Sequence, residues 1–567
     1  MTRKVISSPA GAARKLFGLL HLDRKDVSAI YAFAIFAGLV QLSLPLGIQT
    51  IISFVMAGSV STSIIVLIIL VVVGVFLNGL LQVRQLQIIE KIKQKIFARY
   101  SMEFAHRLPR LNIARLDNYY LPERVNRFFD TMSLQKGMEK ILLDIPAAII
   151  QIFFGVILLS FYHPVFIAFG ASLLLILYII LRYTLPNGFS ASMEASEYKF
   201  KTAAWLEELA RVIKTFKYSR GTSLNTQKAD ELVTGYLTVR TRYFRILLTQ
   251  FWSLIGFKVI ITAAMLILGV ILLADQQINI GQFIAADIVI LSVIGSVEKL
   301  ILTLDKVYET LTSLEKMGSI TDAETETGGT QLLPDTNTGV SISFKNLAFA
   351  YTGTHTVLQN INFEIKPGEK LCIMGDSGSG KSSALRLLTG AYRNYEGAIL
   401  IDNIPLLNYE LASLRAQTGI LVSQQDIFQG TLRDNITMGN DDIPLTDLVK
   451  MIALCGLSGF LESLPDGFDT VLDPAGQRLS TRIKQGILLS RALLGKRRLL
   501  LLEEPFVAID TQVRKQVLQL LMADQSTTAI ITSMNPEVAK ICDKVLVLKN
   551  GTVNAFGTWQ EIEQINA

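Results

Sequence analysis

Residues 371–385 read LCIMGDSGSGKSSAL, an apolar run followed by a glycine-rich turn and the start of a helix. Gly375, Gly380, Lys381 and Ser382 satisfy the spacing GxxxxGK[ST]. Glycines there let backbone N–H groups approach phosphate oxygens, the lysine ammonium neutralises the β- and γ-phosphates, and the serine hydroxyl can ligate Mg²⁺. Asp376, Ser377, Gly378, Ser379 and Ser383 complete the expected nucleotide-contacting set. The strand–turn–helix setting predicts an α/β domain that binds a nucleotide at this loop.

From Val340 to the end, apolar strand-like runs alternate with helical ones, as in such a domain. A second apolar run, LLLLEEPFVAID at 499–510, ends in two adjacent acids, Glu503 and Glu504. Taken alone, that ending reads as the cap of a buried strand. Before Val340 the segment TDAETETGGTQLLPDTNTG, residues 321–339, is polar, rich in Gly and Thr, and interrupted by Pro334, which predicts a linker.

The first half has another character. Half of the 567 residues are hydrophobic and only 18% are charged, which places the chain among membrane proteins. A formal charge of +6 is small for this length and gives no reason to expect nucleic-acid binding. Six apolar stretches begin near Val27, Ile64, Ile145, Val165, Leu254 and Gln282, most of them approaching or exceeding the ~18 residues of a spanning helix. The short connections GSVSTS, FYHP and DQQINIG hold no lysine or arginine, whereas Arg84–Lys140 and Arg182–Arg245 are rich in both. The positive-inside rule therefore puts the N-terminus and both long segments in the cytoplasm. Helical pattern continues beyond the apolar cores, as in RQLQIIEKIKQKIFARY, and ~20 further residues at ~1.5 Å each reach ~30 Å past the bilayer. Residues 1–25 are basic, have no acid before Asp23, and predict an amphipathic helix on the membrane surface rather than an organellar presequence. Cys372, Cys455 and Cys542 form no CxxC pair and are expected to be reduced and structural. The domain plan is thus an N-terminal helix at 1–25, a six-span helical domain at 26–320, a linker at 321–339 and an α/β P-loop domain at 340–567.

With both halves in view, the chain resembles the ATP-binding cassette (ABC) exporters over nearly its whole length, nearest to the type I secretion and multidrug exporter branches. NLAFAY, ending at Tyr351, is similar to the family's aromatic loop, whose ring stacks on adenine. ILVSQQDIFQGTLRDNI is similar to the Q-loop, which implies an Mg²⁺ and coupling role for Gln424, with Gln425 a second candidate. LPDGFDT at 464–470 matches an exporter signature. By the same resemblance LLLLEE is a Walker B motif, in which Glu503 holds an Mg²⁺-bound water and Glu504 polarises the attacking water.

Three positions depart from the family pattern. Glu503 stands where an aspartate is usual, and its extra methylene displaces the carboxylate by ~1 Å unless the side chain folds back, enough to cost about a hundredfold in rate. RLSTRIKQGILLSRALL aligns with the signature motif LSGGQ and keeps Leu479, Ser480, Gln485 and Arg491, but Thr481, Arg482 and Ile483 replace two glycines and a glutamine. Side chains there impede close backbone approach to a γ-phosphate. Met534 occupies the switch-histidine position, and the four histidines, His21, His106, His163 and His355, all lie outside the region after the P-loop.

The resemblance implies an ATP- and Mg²⁺-dependent exporter subunit, multi-pass in a bacterial plasma membrane with its cassette cytoplasmic. It would pair with a second half-transporter, identical or different, and could engage a periplasmic adaptor. The start of the sequence shows no peptidase-like domain, so export without processing is expected, of protein or peptide cargo ahead of lipid or drug. The other reading is a nucleotide-binding regulatory subunit of low turnover in a heterodimer. DNYYLPERVNRFFD and KTFKYSRGTSLN are the expected contact stretches between membrane helices and cassette. Asp144, Lys258 and Glu298 fall near the inner interface, but Asp287 lies about six residues, ~9 Å, inside from Gly281 and is the candidate pathway residue, with hydrogen bonding to a neighbouring helix as the alternative.

Overall fold

The structure is a computed structural model describing residues 9–58, 62–116, 121–351, 355–423 and 425–566. The chain divides into two compact units, one of residues 1–110 and 119–323, the other of 111–118 and 324–567.

The first unit is helical. Its elements are α1 (Pro9–Leu22), α2 (Arg24–Gln41), α3 (Ser43–Met56) and α4 (Thr62–Arg107); α5 (Ile113–Leu116) belongs to the second unit; then follow α6 (Leu121–Asn126), α7 (Asp130–Tyr162), α8 (Val165–Arg211), α9 (Ile213–Tyr218), α10 (Leu224–Ala274) and α11 (Ile280–Thr321). Six helical segments are long and apolar enough to cross a membrane, and they coincide with the six apolar stretches of the sequence. The first consists of α2 and α3, broken at Leu42. Pro45 supplies no N–H for the Gln41 carbonyl, so one helix stops and the next restarts with proline in its first turn. Helices α4, α8 and α10 run 46, 47 and 51 residues. At ~1.5 Å per residue each is ~70 Å long, more than twice the ~30 Å hydrocarbon thickness, so these helices project well past a bilayer.

Packing in this unit follows small residues. A side chain on Gly137 of α7 would strike Thr310 of α11, and one on Gly155 would approach Val293 Cγ2 to 2.6 Å. Such positions let helix backbones approach closely. Outward-facing Val72 and Phe76 on α4 are 62% and 70% exposed, a surface suited to lipid. The charges placed near the inner interface are paired: Lys258 with Glu298 at 2.7 Å and Lys140 with Asp144 at 3.2 Å. The N-terminal amphipathic helix forms as α1, yet Ala12, Leu16 and Leu19 are buried among Ile89, Ile92 and Met317 rather than left for lipid. Lys15 on the same helix pairs with Glu315 at 2.9 Å and Asp322 at 2.8 Å.

The second unit is α/β. Its strands are β1 (Ile342–Ala350), β2 (Thr356–Ile365), β3 (Lys370–Met374), β4 (Tyr395–Ile401), β5 (Ile404–Pro405), β6 (Thr418–Leu421), β7 (Gly430–Thr431), β8 (Val471–Leu472), β9 (Leu499–Glu503), β10 (Thr528–Thr532), β11 (Lys544–Lys549) and β12 (Thr552–Gly557). The main sheet has the order β12-β11-β3-β10-β9-β6, parallel except for β12, and an antiparallel sheet β2-β1-β4-β5 accompanies it. All five residues of β9 are buried, which is why LLLLE carries no alternation: a parallel strand covered on both faces reads as a continuous apolar run. The three cysteines are free and buried.

Within the segment read as a linker, Glu326 and Gln331 are tied to the α/β unit. Arg415 makes two hydrogen bonds to the Glu326 carboxylate, at 2.6 and 3.1 Å, and Gln331 bridges Tyr409. Polar composition alone cannot reveal such a partner eighty-nine residues away. Residues 111–116 group with the α/β unit, with Asn112 N–H donating to the Glu324 carbonyl at 3.0 Å, whereas 121–130 and 214–225, within the two expected contact stretches, group with the helical unit. Residues 117–120 of the first expected contact stretch lie outside the described residues.

Gly137→Leu should force the α7–α11 seam apart and cost about 1–3 kcal/mol by overpacking. Thermal unfolding of the detergent-solubilised chain, beside Gly79→Leu where nothing lies within 4 Å, checks this: only the first should lower the midpoint.

Candidate functional site

β3 delivers the chain into the loop 375–380 and then into α12 (Lys381–Leu388). Gly375 and Gly380 hold φ of 142° and 102°, angles that side-chain-bearing residues rarely adopt. A Cβ on Gly375 would come within 2.7 Å of Ser379 Oγ, and one on Gly380 within 2.5 Å of Leu358 Cδ2. Asp376, Ser377 and Gly378 form the exposed tip of the loop, while Ser379 and Gly380 are buried below it. Two features fit a phosphate. Ser379 Oγ is buried with no hydrogen-bond partner. Lys381 Nζ spans the loop, donating to the Gly375 carbonyl at 2.6 Å and the Asp376 carbonyl at 2.8 Å. Ser382, half-buried in the first turn of α12, stands beside them.

Parallel pairing brings the acids level with this loop. Thr532 at the end of β10 pairs with Ile373 on one side and Glu503 on the other. Glu504 follows with φ of 42°, a left-handed conformation costing about 1–3 kcal/mol in a non-glycine residue. Its N–H donates to the carbonyl and the hydroxyl oxygen of Thr532, both at 3.1 Å. Its carbonyl accepts from Gln485 Nε2 at 3.3 Å. Burial pushes the Glu504 carboxyl above the usual carboxylate range; the Glu503 charge pushes the same way, and Lys381 and the Met534 backbone N–H oppose them. A carboxylate held near a phosphate cradle with a raised pKa is suited to take or share a proton.

Other expected residues fall into place unevenly. Tyr351 is set edge-on to Phe349 and Tyr392, with ring centroids at 4.8 and 5.3 Å, and its hydroxyl lies 3.1 Å from Ser383 Oγ. Gln424 lies outside the described residues; the adjacent Gln425 has a buried carbonyl oxygen without a partner. Ser480 caps the helix Thr481–Leu493, accepting from Ile483 N–H at 3.3 Å. Arg482, the intruder in the signature motif, is held by Asp510 at 3.1 Å and by the Gly456 carbonyl at 3.2 Å. Met534 is 56% exposed. Glu503 is 6% exposed and both its oxygens accept from Ser423. Asp287, in the helical unit, is half-buried and makes no hydrogen bond or ion pair among the described residues.

Sequence reasoning passed over Thr532, Ser423 and Arg386. Thr532 sits in TAIITSM and Ser423 in VSQQD, and neither local pattern marks a side chain whose partner is dozens of residues away.

A parallel sheet with a P-loop after its central strand, acids at the same end, and a preceding six-span helical unit define a polytopic membrane protein with a nucleotide-binding domain. Two family descriptions match: the ABC transporter transmembrane region over residues 27–297 and the ABC transporter domain over 358–507. The chain thus joins a stretch matching an ABC transporter transmembrane region to one matching an ABC transporter domain, and its fold is that of an ABC exporter. It is 29% identical over 302 residues to the uncharacterized ABC transporter ATP-binding protein YknU of Bacillus subtilis, covering 53% of this chain and 52% of that one. It is 28% identical over 365 residues to the alpha-hemolysin translocation ATP-binding protein HlyB of Escherichia coli O157:H7, covering 63% and 51%. The chain thus spans about half the length of the curated relatives it matches. Its fold superposes on a bacterial Atm1-family ABC exporter with ATP bound at a TM-score of 0.84, with 19% identity and 96% of each chain covered.

The raised pKa of Glu504 has a consequence for stability. A carboxyl titrating higher when folded than unfolded penalises the fold above its folded pKa, and the penalty vanishes below its unfolded value near 4.3. Glu504→Gln should therefore raise the thermal midpoint at pH 7.5 and leave it unchanged at pH 3.5. Calorimetry of the nucleotide-free chain at both pH values checks this; equal gains at both would refute the burial of charge.

Proposed function

We propose that this chain is one half of an ATP-driven exporter, multi-pass in a bacterial plasma membrane with its cassette in the cytoplasm. The observation that carries the reading is the convergence of the Lys381 cradle and Glu504 at one end of the main sheet, in a chain that also holds six spanning-length helices. ATP binds along Tyr351 and residues 375–383, with its phosphates against the P-loop backbone and Lys381. Ser382 and Gln424 would hold Mg²⁺, which would neutralise phosphate charge there. Glu504 acts as the base that orients and polarises the attacking water. Ser480 at its helix N-terminus faces the nucleotide of a second half-transporter, so the working unit is a dimer. Cargo is protein or peptide, a reading supported by the relative named for alpha-hemolysin translocation, and a periplasmic adaptor fits the same reading.

Glu504→Gln should lower ATPase activity of the purified full chain by at least a hundredfold while nucleotide binding, followed with a fluorescent ATP analogue, persists. Loss of both, or of neither, would move the chemistry away from Glu504.

A second reading, a low-turnover subunit in a heterodimer, is favoured by Met534. Its exposed thioether offers no donor for a γ-phosphate. Met534→His should raise turnover, roughly tenfold for ~1.4 kcal/mol of recovered transition-state stabilisation. An unchanged rate would place the limit elsewhere, at the signature motif or in the need for a different partner.

In the membrane half, the unpartnered half-buried carboxylate makes Asp287 a pathway residue. Asp287→Asn should reduce transport and cargo-stimulated ATPase with basal ATPase kept; unaltered transport would exclude the role.

A further inference from the structure

Strands β6 and β9 run side by side, and Leu421 paired with Leu502 is their last rung. Just beyond it, Ser423 and Glu503 meet. Glu503 Oε2 accepts from the Ser423 backbone N–H at 2.9 Å, and Oε1 accepts from the Ser423 hydroxyl at 3.1 Å. Arg386 on α12 donates to Ser423 Oγ at 3.1 Å and stands 3.8 Å from Glu503 Oε1. The directions are consistent: the hydroxyl accepts from the guanidinium and donates to the carboxylate. One buried carboxylate thereby joins the P-loop helix, the exit of β6 and the exit of β9.

Side-chain length decides what position 503 can reach. An aspartate is shorter by one carbon–carbon bond, about 1.5 Å, and from the same backbone would fall short of these 2.9 and 3.1 Å contacts. The extra methylene supplies the reach to Ser423. A carboxylate with both oxygens engaged and a guanidinium at 3.8 Å already has its charge compensated, so a second cation beside it gains less.

We propose that Glu503 is a positioning residue, anchoring Ser423 where the chain leaves β6 for the Q-loop stretch, and not a holder of the Mg²⁺-bound water. The proposal rests on the reading of the cassette as an Mg–ATP site. Glu503 acts on the reaction through the backbone it fixes, and the glutamate at this Walker B position is matched to the serine at the Q-loop.

Two measurements on the full chain in detergent test this. Amide hydrogen exchange of the peptide containing Ser423 reads the anchor directly, because that N–H is the donor. Mn²⁺ affinity by electron paramagnetic resonance, with a non-hydrolysable ATP analogue bound, reads the metal. Glu503→Asp, which falls short, should speed exchange at Ser423 by about tenfold or more, Glu503→Gln, which keeps an acceptor oxygen at the same reach, by less, and both should leave Mn²⁺ affinity within about twofold of the parent. Ser423→Ala, which keeps the parent residue at 503 and removes only the hydroxyl, should speed exchange in the same peptide less, again with Mn²⁺ affinity kept. A tenfold loss of Mn²⁺ affinity in Glu503→Gln, or exchange unchanged in both Glu503 variants, overturns the proposal. Failure of the parent chain to bind the analogue would refute the Mg–ATP reading instead, while the exchange arm would still decide whether the anchor exists.

Discussion

The pairing of Thr532 with Ile373 on one side and Glu503 on the other is the constraint from which the site follows. It fixes how far β9 extends relative to β3, and so where an acid emerges relative to the phosphate loop. Thr532 is 1% exposed and also accepts, through its carbonyl and hydroxyl oxygens, from the N–H of Glu504. The strands it joins are almost wholly apolar, so no in–out alternation specifies their register. Register is set instead at the strand ends: by the tight glycine turn after β3, by the Thr532 contacts after β9, and by Ser423 on Glu503 at the β6 edge. The last two are polar and part-buried, and a slip of one residue there would leave donors without acceptors.

Stability is given up at this end of the sheet and recovered behind it. Glu504 adopts a left-handed backbone and carries a carboxylate that burial disfavours. Behind it Leu499, Leu501 and Leu502 are fully buried and Leu500 nearly so, each contributing about 1.5–3 kcal/mol of side-chain burial. Local strain of about 1–3 kcal/mol is small beside that sum. The arrangement is what a site needs when one acid must be held in a geometry it would not choose alone.

Much of this was legible because it is local. The P-loop spacing needs only twelve consecutive residues or so, and a spanning helix announces itself by length and apolarity. The same locality explains what could not be read. The break at Leu42 turns on one proline within an apolar run, the packed linker on an Arg415–Glu326 pair, and the anchoring of Ser423 on a carboxylate eighty residues later. That Asn112 and Ala114 belong with the α/β unit was hidden for a related reason: Ile113 and Ala114 look no different from any amphipathic turn until the surface they meet is known. Glu503 shows the limit most clearly. Its substitution for aspartate was visible and the direction of its effect was not, because that depends on where the added methylene can go.

The three departures from the exporter pattern are therefore not equivalent. Both carboxylate oxygens of Glu503 are taken by Ser423, whereas the Glu504 carboxyl feels the charge of Lys381. At position 534 the side chain has changed, but the backbone N–H still reaches the Glu504 carboxylate, so the loss is confined to one imidazole and does not disturb the acid itself. In the signature motif, Ser480 keeps its capping geometry while Arg482 is drawn aside to Asp510 and Gly456. That pair is about half exposed at both ends, and such surface ion pairs contribute only about 0–1 kcal/mol, so it can be exchanged for a phosphate at little cost. Within the cassette, then, the backbone around Glu504 is kept at all three positions, and what differs is the side chains at 482, 503 and 534.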